Sequence, residues 1–476
     1  MTTNLGGTNT ALETRVSSTA SHAAKVVSDA PVLERALKAR HVEMIAIGGI
    51  IGAGLFVGSS AAIASVGPAI VLSYVGAGLL VLMVMRMLTE MAMAFPTVQS
   101  FPEFSRLGLG NWAGFMSGWL YWYFWIVVVA VEALAGAVII REWLPGLNEA
   151  ATAVALTIVL AGTNLFSTRS YGEAEFILSS VKVAAIIAFL VIAVAWLFGL
   201  GNSQGDGFAN LTAHSGFMPK GPFSVLAGIT TVIFSLVGAE IATIAAAESH
   251  ASARTLARMT GTVAARILVF YVLSILVIVS IVPWTSIVPG SSPFVAALAA
   301  IGIPGGATIM NAVVLVAVLS CLNSGIYVTS RVLFSLAGRG DAPQAITRLG
   351  ARSVPRRAIL ISTFMSLICL AFAILSPDRG FAFLVNASGT LILLLYALIA
   401  LSQINLRNRL DETGETPAIY MWAHPWASIA TIAAIAAILA AMAIDEGLRS
   451  QFLASMLLTA GVAVAFWIRK AYRVMR

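Results

Sequence analysis

The residues that point most clearly to a binding site are five glycines at positions 48, 49, 52, 54 and 58, inside an apolar run from Met44 to Val66. Each glycine in a helix costs roughly 1 kcal/mol relative to alanine. Inside a membrane, backbone without helical hydrogen bonds is tolerated only where it is buried in protein or lines a watery cavity. The stretch Ile47–Phe56 therefore predicts an interrupted helix whose free peptide groups bind a ligand.

A second interruption is predicted in the segment that runs from Phe234 to Ile241. Gly52-Ala53-Gly54-Leu55 is similar to Gly238-Ala239-Glu240-Ile241, and the two segments lie five predicted spans apart. Five is an odd number, so the second copy must run in the opposite direction. Paired interruptions in corresponding spans of two halves indicate the binding site of an inverted-repeat transporter.

Two ionisable side chains lie deep in apolar segments. Lys182 is the only lysine within any predicted span, and the nearest acidic residues of its span, Glu173 and Glu175, lie at the entrance. We therefore do not interpret Lys182 as one member of an ion pair within its own helix. A buried ammonium loses its proton easily, so we favour a role as a proton carrier over that of a purely structural cation. Glu132, near the middle of the third span, fits a functional and a structural role equally well.

Other polar and aromatic groups have simpler explanations. The aromatic run Gly118–Trp125 is typical of an interfacial belt, although some of its rings, such as that of Trp125, are expected to face the interior. Ser320 and Asn323 in the eighth span can line a pathway or let helices pack closely. Arg86 and Glu90, four residues apart, predict an ion pair near the membrane surface.

The composition indicates that these residues lie within membrane-spanning helices. Hydrophobic residues make up 59% of the chain and charged residues 10%, and the mean hydropathy is +0.93, which is typical of an all-α integral membrane protein. Runs of about 20 apolar residues predict twelve transmembrane spans: 42–66, 69–95, 112–140, 148–166, 173–200, 224–247, 260–283, 308–337, 357–376, 381–403, 427–444 and 451–468.

The charges predict the orientation. If the N-terminus is cytoplasmic, 21 of the 28 Lys and Arg residues fall in inside segments, so both termini are expected in the cytoplasm of a multi-pass inner-membrane protein. The same asymmetry explains the net charge of +7 without a nucleic-acid partner. We expect a disordered tail at 1–31, a transport core at 32–403 formed by about 42–200 and 224–403, a cytoplasmic loop at 404–426, two peripheral spans within 427–468 and a short tail at 469–476.

Several enzyme classes lack support. The sequence contains no P-loop, HExxH, paired CxxC or GxSxG pattern, and its two cysteines, Cys321 and Cys369, lie within apolar spans and offer no disulfide framework. We expect no enzyme activity, no metal and no cofactor. The sequence does not specify an oligomeric state.

Taken together, a set of motifs resembles the bacterial amino acid transporter family of the amino acid-polyamine-organocation superfamily, from about residue 33 to 410. The sixth span and the residues around Glu132 and Lys182 are most similar to the γ-aminobutyrate permease branch, and aromatic amino acid permeases are similar there. The motifs are Ile47–Phe56, Glu90–Ala92, Gly118–Trp125, Phe234–Glu240, Ala245–Ser249, Val282–Trp284, Leu322–Ser324 and Gly340–Pro343.

The resemblance implies a LeuT-type fold, a five-plus-five inverted repeat with broken helices 1 and 6 and two additional helices, which imports amino acids with protons. It also implies the site. Backbone N–H groups of the first break would bind the substrate carboxylate, and carbonyls of the sixth span would bind its ammonium. The implied substrate-binding residues are Ile51, Gly52, Ala53, Gly54, Phe234, Ser235, Leu236 and Gly238.

The resemblance further implies that Phe234 is the gate and that Lys182 and Glu240 couple transport to protons. We predict a proton-coupled amino acid importer, with γ-aminobutyrate or a related amino acid favoured as the substrate. An aromatic or other neutral amino acid permease is the alternative within the family. A channel or a non-transporting amino acid sensor is the alternative outside it, although channels usually repeat their pore elements around an axis.

Overall fold

The computed structural model describes residue 44 and residues 51–95, 98, 100–166, 168–200, 208–238, 264–350, 354–376, 380–414 and 419–474. The predicted N-terminal tail and Glu240 lie outside this part of the chain. Throughout the described residues the regular structure is helical, as the composition predicts.

Fourteen helices are numbered here in chain order. They are α1 (Gly54–Val66), α2 (Ile70–Ala94), α3 (Phe101–Leu109), α4 (Asn111–Trp143), α5 (Glu149–Asn164), α6 (Thr168–Leu197), α7 (Pro222–Leu236), α8 (Ala264–Ile281), α9 (Pro293–Ile301), α10 (Gly306–Gly338), α11 (Arg356–Leu375), α12 (Gly380–Thr413), α13 (Trp426–Ile444) and α14 (Arg449–Val474). Each of the twelve predicted spans overlaps one of them, whereas the short helices α3 and α9 were not predicted.

Within the described residues, nine helices are long and apolar enough to cross a membrane: α2, α4, α6, α8 and α10 to α14. The shorter apolar helices are α1, α5 and α7. Two of these three, α1 and α7, have one end within a segment in which the sequence predicts an interruption: α1 begins at Gly54 and α7 ends at Leu236.

Helix α4 lies at the centre of the molecule and packs against α5, α10, α11 and α12. In its most apolar 18-residue window, 78% of the residues are buried, compared with 6% for α14 at the periphery. A helix that is apolar all round and buried by its neighbours is expected at the core of a membrane bundle. The position of α4 places Glu132, near its middle, among the other helices and away from lipid.

At one end of the bundle, an ion-pair cluster surrounds Asp341, just beyond α10. Its fully buried carboxylate pairs with Arg106 of α3 and with Arg469 of α14, and its carbonyl accepts a 3.3 Å hydrogen bond from the Trp119 indole. The sequence placed Arg469 in a terminal tail. In the structure α14 continues to Val474, so this guanidinium links a peripheral helix to the core.

The predicted ion pair between Arg86 and Glu90 is wrong. Arg86 Nε donates to the carbonyl oxygen of Tyr420 at 3.0 Å. Buried Glu90 accepts hydrogen bonds from the Met421 N–H and from the Gln403 amide, the latter at 3.1 Å. Both charged side chains therefore hold the α12–α13 connection against α2.

Candidate functional site

The site is built where two helices end inside the bundle. Ile51 and Gly52 are not helical, and α1 starts with a π-helical turn at Gly54. Helix α7 ends at Leu236, and the backbone becomes extended at Val237, with ψ of 150°. Gly238 then has φ of 117°, which favours glycine because it lacks Cβ. Ends of this kind leave peptide N–H groups at the start of α1 and C=O groups at the end of α7 without helical partners.

These two ends touch each other. A Cβ atom on Gly54 would lie 2.8 Å from Cα of Ser235 and 3.2 Å from Cδ1 of Phe234. Such a distance from backbone leaves no room for a side chain. Gly54 therefore allows the start of α1 to approach the end of α7, and this close approach brings six predicted substrate-binding residues, in 52–54 and 234–236, together.

Glu132 of α4 is bound to the start of α1. The Ala53 N–H donates to both carboxylate oxygens of Glu132, at 2.9 and 3.0 Å, across 79 residues of sequence. The side chain is 2% exposed. An acceptor at this position satisfies a peptide donor that the helix start leaves free, and a negative charge there is favoured by the helix dipole.

The surroundings of this contact are tightly packed. A Cβ atom on Gly52 would lie 2.5 Å from Oε1 of Glu132 and 2.6 Å from Cβ of Cys321 on α10. The Cys321 side chain and the Glu132 carboxylate thus lie on the same side of Gly52. Gly52 is therefore required by the close approach of two side chains from other helices.

Lys182 has a partner that the sequence interpretation rejected. Its ammonium donates to Oγ of Ser320 on α10 at 2.9 Å and lies 3.5 Å from Oε1 of Glu175. Ser320 Oγ in turn donates to Glu175, at 2.6 and 2.7 Å to its two oxygens. The side chains of Glu175 and Lys182 are fully buried.

The conclusion that Lys182 is not part of a local helix pair is thus wrong. Glu175 precedes Lys182 by seven residues, or two helical turns, and this spacing returns to the same face of a helix. The spacing could have revealed the pair from the sequence. Ser320 joins the pair to α10, which carries Cys321 at the next position.

Aromatic side chains close one side of the two helix ends. Phe234, 6% exposed, packs against Phe124 of α4 with ring centroids 6.1 Å apart. Trp125 is 2% exposed and lies edge-on to Phe124.

Two buried donors near the site have no hydrogen-bond partner among the described residues. They are the indole N–H of Trp125 and the hydroxyl of Tyr271 on α8. A buried donor without a partner is available to a ligand or to water.

Asn323 faces another helix. Its amide oxygen accepts a 2.6 Å hydrogen bond from Asn164 of α5, with the Thr163 hydroxyl at 3.5 Å. The structure therefore ties this predicted pathway residue to α5, whereas it brings Ser320 and Glu132 next to the helix ends through α10 and α4.

The chemistry available here is recognition of a small charged molecule. Peptide donors and acceptors, unpartnered aromatic donors and a few buried charges can orient a zwitterion. Among the described residues there is no group of three or more His, Cys, Asp or Glu side chains that could hold a metal ion. Ionised Glu132, Glu175 and Lys182 together carry two negative charges and one positive charge.

Comparison with known proteins shows the family of the chain. A family model described as amino acid permease matches residues 41–476. The γ-aminobutyric acid permease of Bacillus subtilis (strain 168) is 47% identical over 444 residues, which cover 93% of this chain and 95% of that protein. The aromatic amino acid transport protein AroP of Corynebacterium glutamicum is 40% identical over 420 residues, covering 87% and 90%.

Among solved structures, a mutant of a manganese transporter from Eremococcus coleocola matches with a TM-score of 0.57 and 13% identity over 94% of this chain and 98% of that one. This likeness shows a shared transporter fold alone. The family match and the identity to relatives over nearly the whole chain are much more specific. The chain is therefore a member of the amino acid permease family.

Proposed function

We propose that this permease imports γ-aminobutyrate, or a closely related amino acid, together with protons across the cytoplasmic membrane. The observation that supports this most is the meeting of the start of α1 with the end of α7, at Gly54 and Ser235. A helix start is positive and a helix end is negative. Two such ends in contact suit the carboxylate and ammonium of a zwitterion.

In this proposal the N–H groups of residues 52–54 bind the substrate carboxylate, and the carbonyls of residues 234–236 bind its ammonium. Phe234 gates the site, supported by its packing on Phe124 at the end of α7. Lys182 couples transport to protons, supported by its complete burial beside Glu175 and Ser320. Glu240 is proposed as the second coupling residue and lies outside the described part of the chain.

The finer architecture is part of the same proposal. Twelve helices cross the membrane, the first ten form a LeuT-type inverted repeat within residues 32–403, and the last two lie outside it. Both termini face the cytoplasm. The directions of α1 and α7 support the repeat, because one helix begins and the other ends at their common contact.

The choice of γ-aminobutyrate rests on the relatives. The B. subtilis permease named for γ-aminobutyric acid is 47% identical, compared with 40% for the aromatic amino acid transporter. Because the aromatic amino acid transporter is also 40% identical, an aromatic amino acid is the alternative substrate. Displacement of one labelled substrate by a panel of unlabelled amino acids decides between the two.

Purified protein in proteoliposomes tests the transport mechanism. We expect accumulation of labelled γ-aminobutyrate when an inward proton gradient is imposed, and loss of accumulation with a protonophore. Sodium-dependent uptake that is indifferent to the protonophore would contradict proton coupling. Saturable counterflow separates a transporter from a channel, because a channel cannot exchange labelled for unlabelled substrate against a gradient.

Lys182→Ala separates coupling from substrate binding. We expect it to abolish accumulation driven by the proton gradient while counterflow persists, because the peptide groups that bind the zwitterion remain. The matched control is Lys220→Ala, outside the spans, which should accumulate substrate as the unmodified protein does. Equal accumulation by both variants would exclude Lys182 from coupling.

A further inference from the structure

Glu132 holds the peptide group that the proposed function assigns to the substrate. Its carboxylate accepts the Ala53 N–H through both oxygens, and Ala53 lies in the segment proposed to bind the substrate carboxylate. The Ala53 N–H cannot donate a full hydrogen bond to the Glu132 carboxylate and to a substrate carboxylate at the same time. In the structure described here, a side chain of the protein therefore occupies the place of the ligand.

The charged groups around the Glu132–Ala53 hydrogen bond oppose the binding of a substrate carboxylate beside Glu132. Among the described residues, the ionisable groups that interact with Glu132 are Lys182 on α6, Cys321 on α10 and Tyr271 on α8. Glu175 lies beyond, paired with Lys182, and Arg266 of α8 acts on Tyr271. Lys182 is the cation that acts directly on Glu132, and the two carboxylates share this one ammonium.

A substrate carboxylate would add a further negative charge to this buried group. Like charges in a site of low dielectric constant disfavour simultaneous ionisation, so one carboxylate takes up a proton. Lys182 already pairs with Glu175. Glu132, which shares its peptide donor with the incoming ligand, is the carboxylate that must be neutralised.

We propose that Glu132 is an internal competitor for the substrate carboxylate, and that uptake of a proton by Glu132 releases the Ala53 N–H to the substrate. This inference rests on the proposed function and adds to it the residue at which proton and substrate binding are linked. The proton comes from water and no covalent bond changes. Once protonated, Glu132 can donate a hydrogen bond to the substrate carboxylate instead of repelling it.

The linkage is measured on purified protein in detergent, with labelled γ-aminobutyrate, or labelled phenylalanine if the competition panel selects an aromatic substrate. A pH indicator in weak buffer records protons taken up on binding. Glu132→Gln mimics the protonated side chain at nearly unchanged size. The matched control is Glu142→Gln in the same helix, where an exposed glutamate accepts a hydrogen bond from Asn311.

We expect the unmodified protein and Glu142→Gln to take up about one proton per substrate bound, with an affinity that falls as the pH rises, by up to about tenfold per pH unit. Glu132→Gln should bind with no proton uptake, with affinity independent of pH, and should retain counterflow.

Three results would overturn the inference. One is substrate binding by the unmodified protein without proton uptake, a measurement that does not depend on how any variant folds. Another is unchanged proton uptake by Glu132→Gln. The third is loss of binding by folded Glu132→Gln at every pH, which would show that the carboxylate attracts the substrate ammonium. Absence of amino acid binding by the unmodified protein would instead refute the proposed function itself.

Discussion

Removing Lys182 alone from the buried Glu175–Lys182 pair should destabilise the protein more than removing both members. The two charged atoms lie 3.5 Å apart, and both side chains are fully buried. At an effective dielectric constant of about 20, this attraction amounts to about 5 kcal/mol. Leaving a buried charge without its partner typically costs about 3 to 5 kcal/mol. We expect Lys182→Met to lower the free energy of unfolding by that amount, because it leaves two buried carboxylates without a cation.

Glu175→Gln should be milder than Lys182→Met. Glu132 stays within electrostatic range of Lys182 when the charge of Glu175 is removed, so the ammonium retains one carboxylate. The double variant Glu175→Gln/Lys182→Met contains neither charge of the pair, so neither is left without its partner. Since replacing a whole buried pair is often close to neutral, the double variant should recover most of the stability lost in Lys182→Met.

Apparent melting temperatures in detergent, followed by size-exclusion chromatography, test this order. The control is Glu142→Gln, an exposed glutamate to glutamine change in α4, which should melt as the unmodified protein does. The reasoning would be refuted if the double variant were as unstable as the sum of the single variants. Additive losses would mean that the two charges do not stabilise each other.

Two further perturbations follow from the geometry. Gly54→Ala should reduce transport by at least about fivefold, because overpacking against the backbone of α7 costs about 1 to 3 kcal/mol. Gly162→Ala, where a Cβ meets nothing within 4 Å, should transport normally in the same uptake assay. Asp341→Asn should lower the melting temperature, because it leaves the charges of Arg106 and Arg469 without their carboxylate, and an unchanged melting temperature would show that this cluster adds no stability.

The helices and their approximate positions could be predicted from the sequence. Each of the twelve predicted spans overlaps a helix of the structure, because a run of about 20 apolar residues has only the helix available to it in lipid. The start of α1 at Gly54 and the end of α7 at Leu236 also fall within the two segments where the sequence predicts interruptions. Helix α3 was missed because its nine residues include Glu103, Ser105 and Arg106 and form no long apolar run.

The partners of the buried charges were harder to predict. The Glu175–Lys182 pair carries a local signal, the seven-residue spacing, which the sequence interpretation rejected. The contact between Arg86 and Tyr420 spans 334 residues, so the four-residue spacing to Glu90 suggested a partner that the fold does not use. Local spacing shows which residues share a face, but not which other helix that face meets.

The sequence by itself determined that this protein is a bundle of membrane helices with buried charges, because hydrophobicity and helical periodicity are properties of neighbouring residues. Only the tertiary structure decided that Glu132 binds the Ala53 N–H, that Gly54 lies against Ser235 and that Ser320 bridges Lys182 and Glu175. These contacts depend on how α1, α4, α6, α7 and α10 pack together. Packing is set by the shapes of whole helix surfaces, which no short stretch of sequence contains.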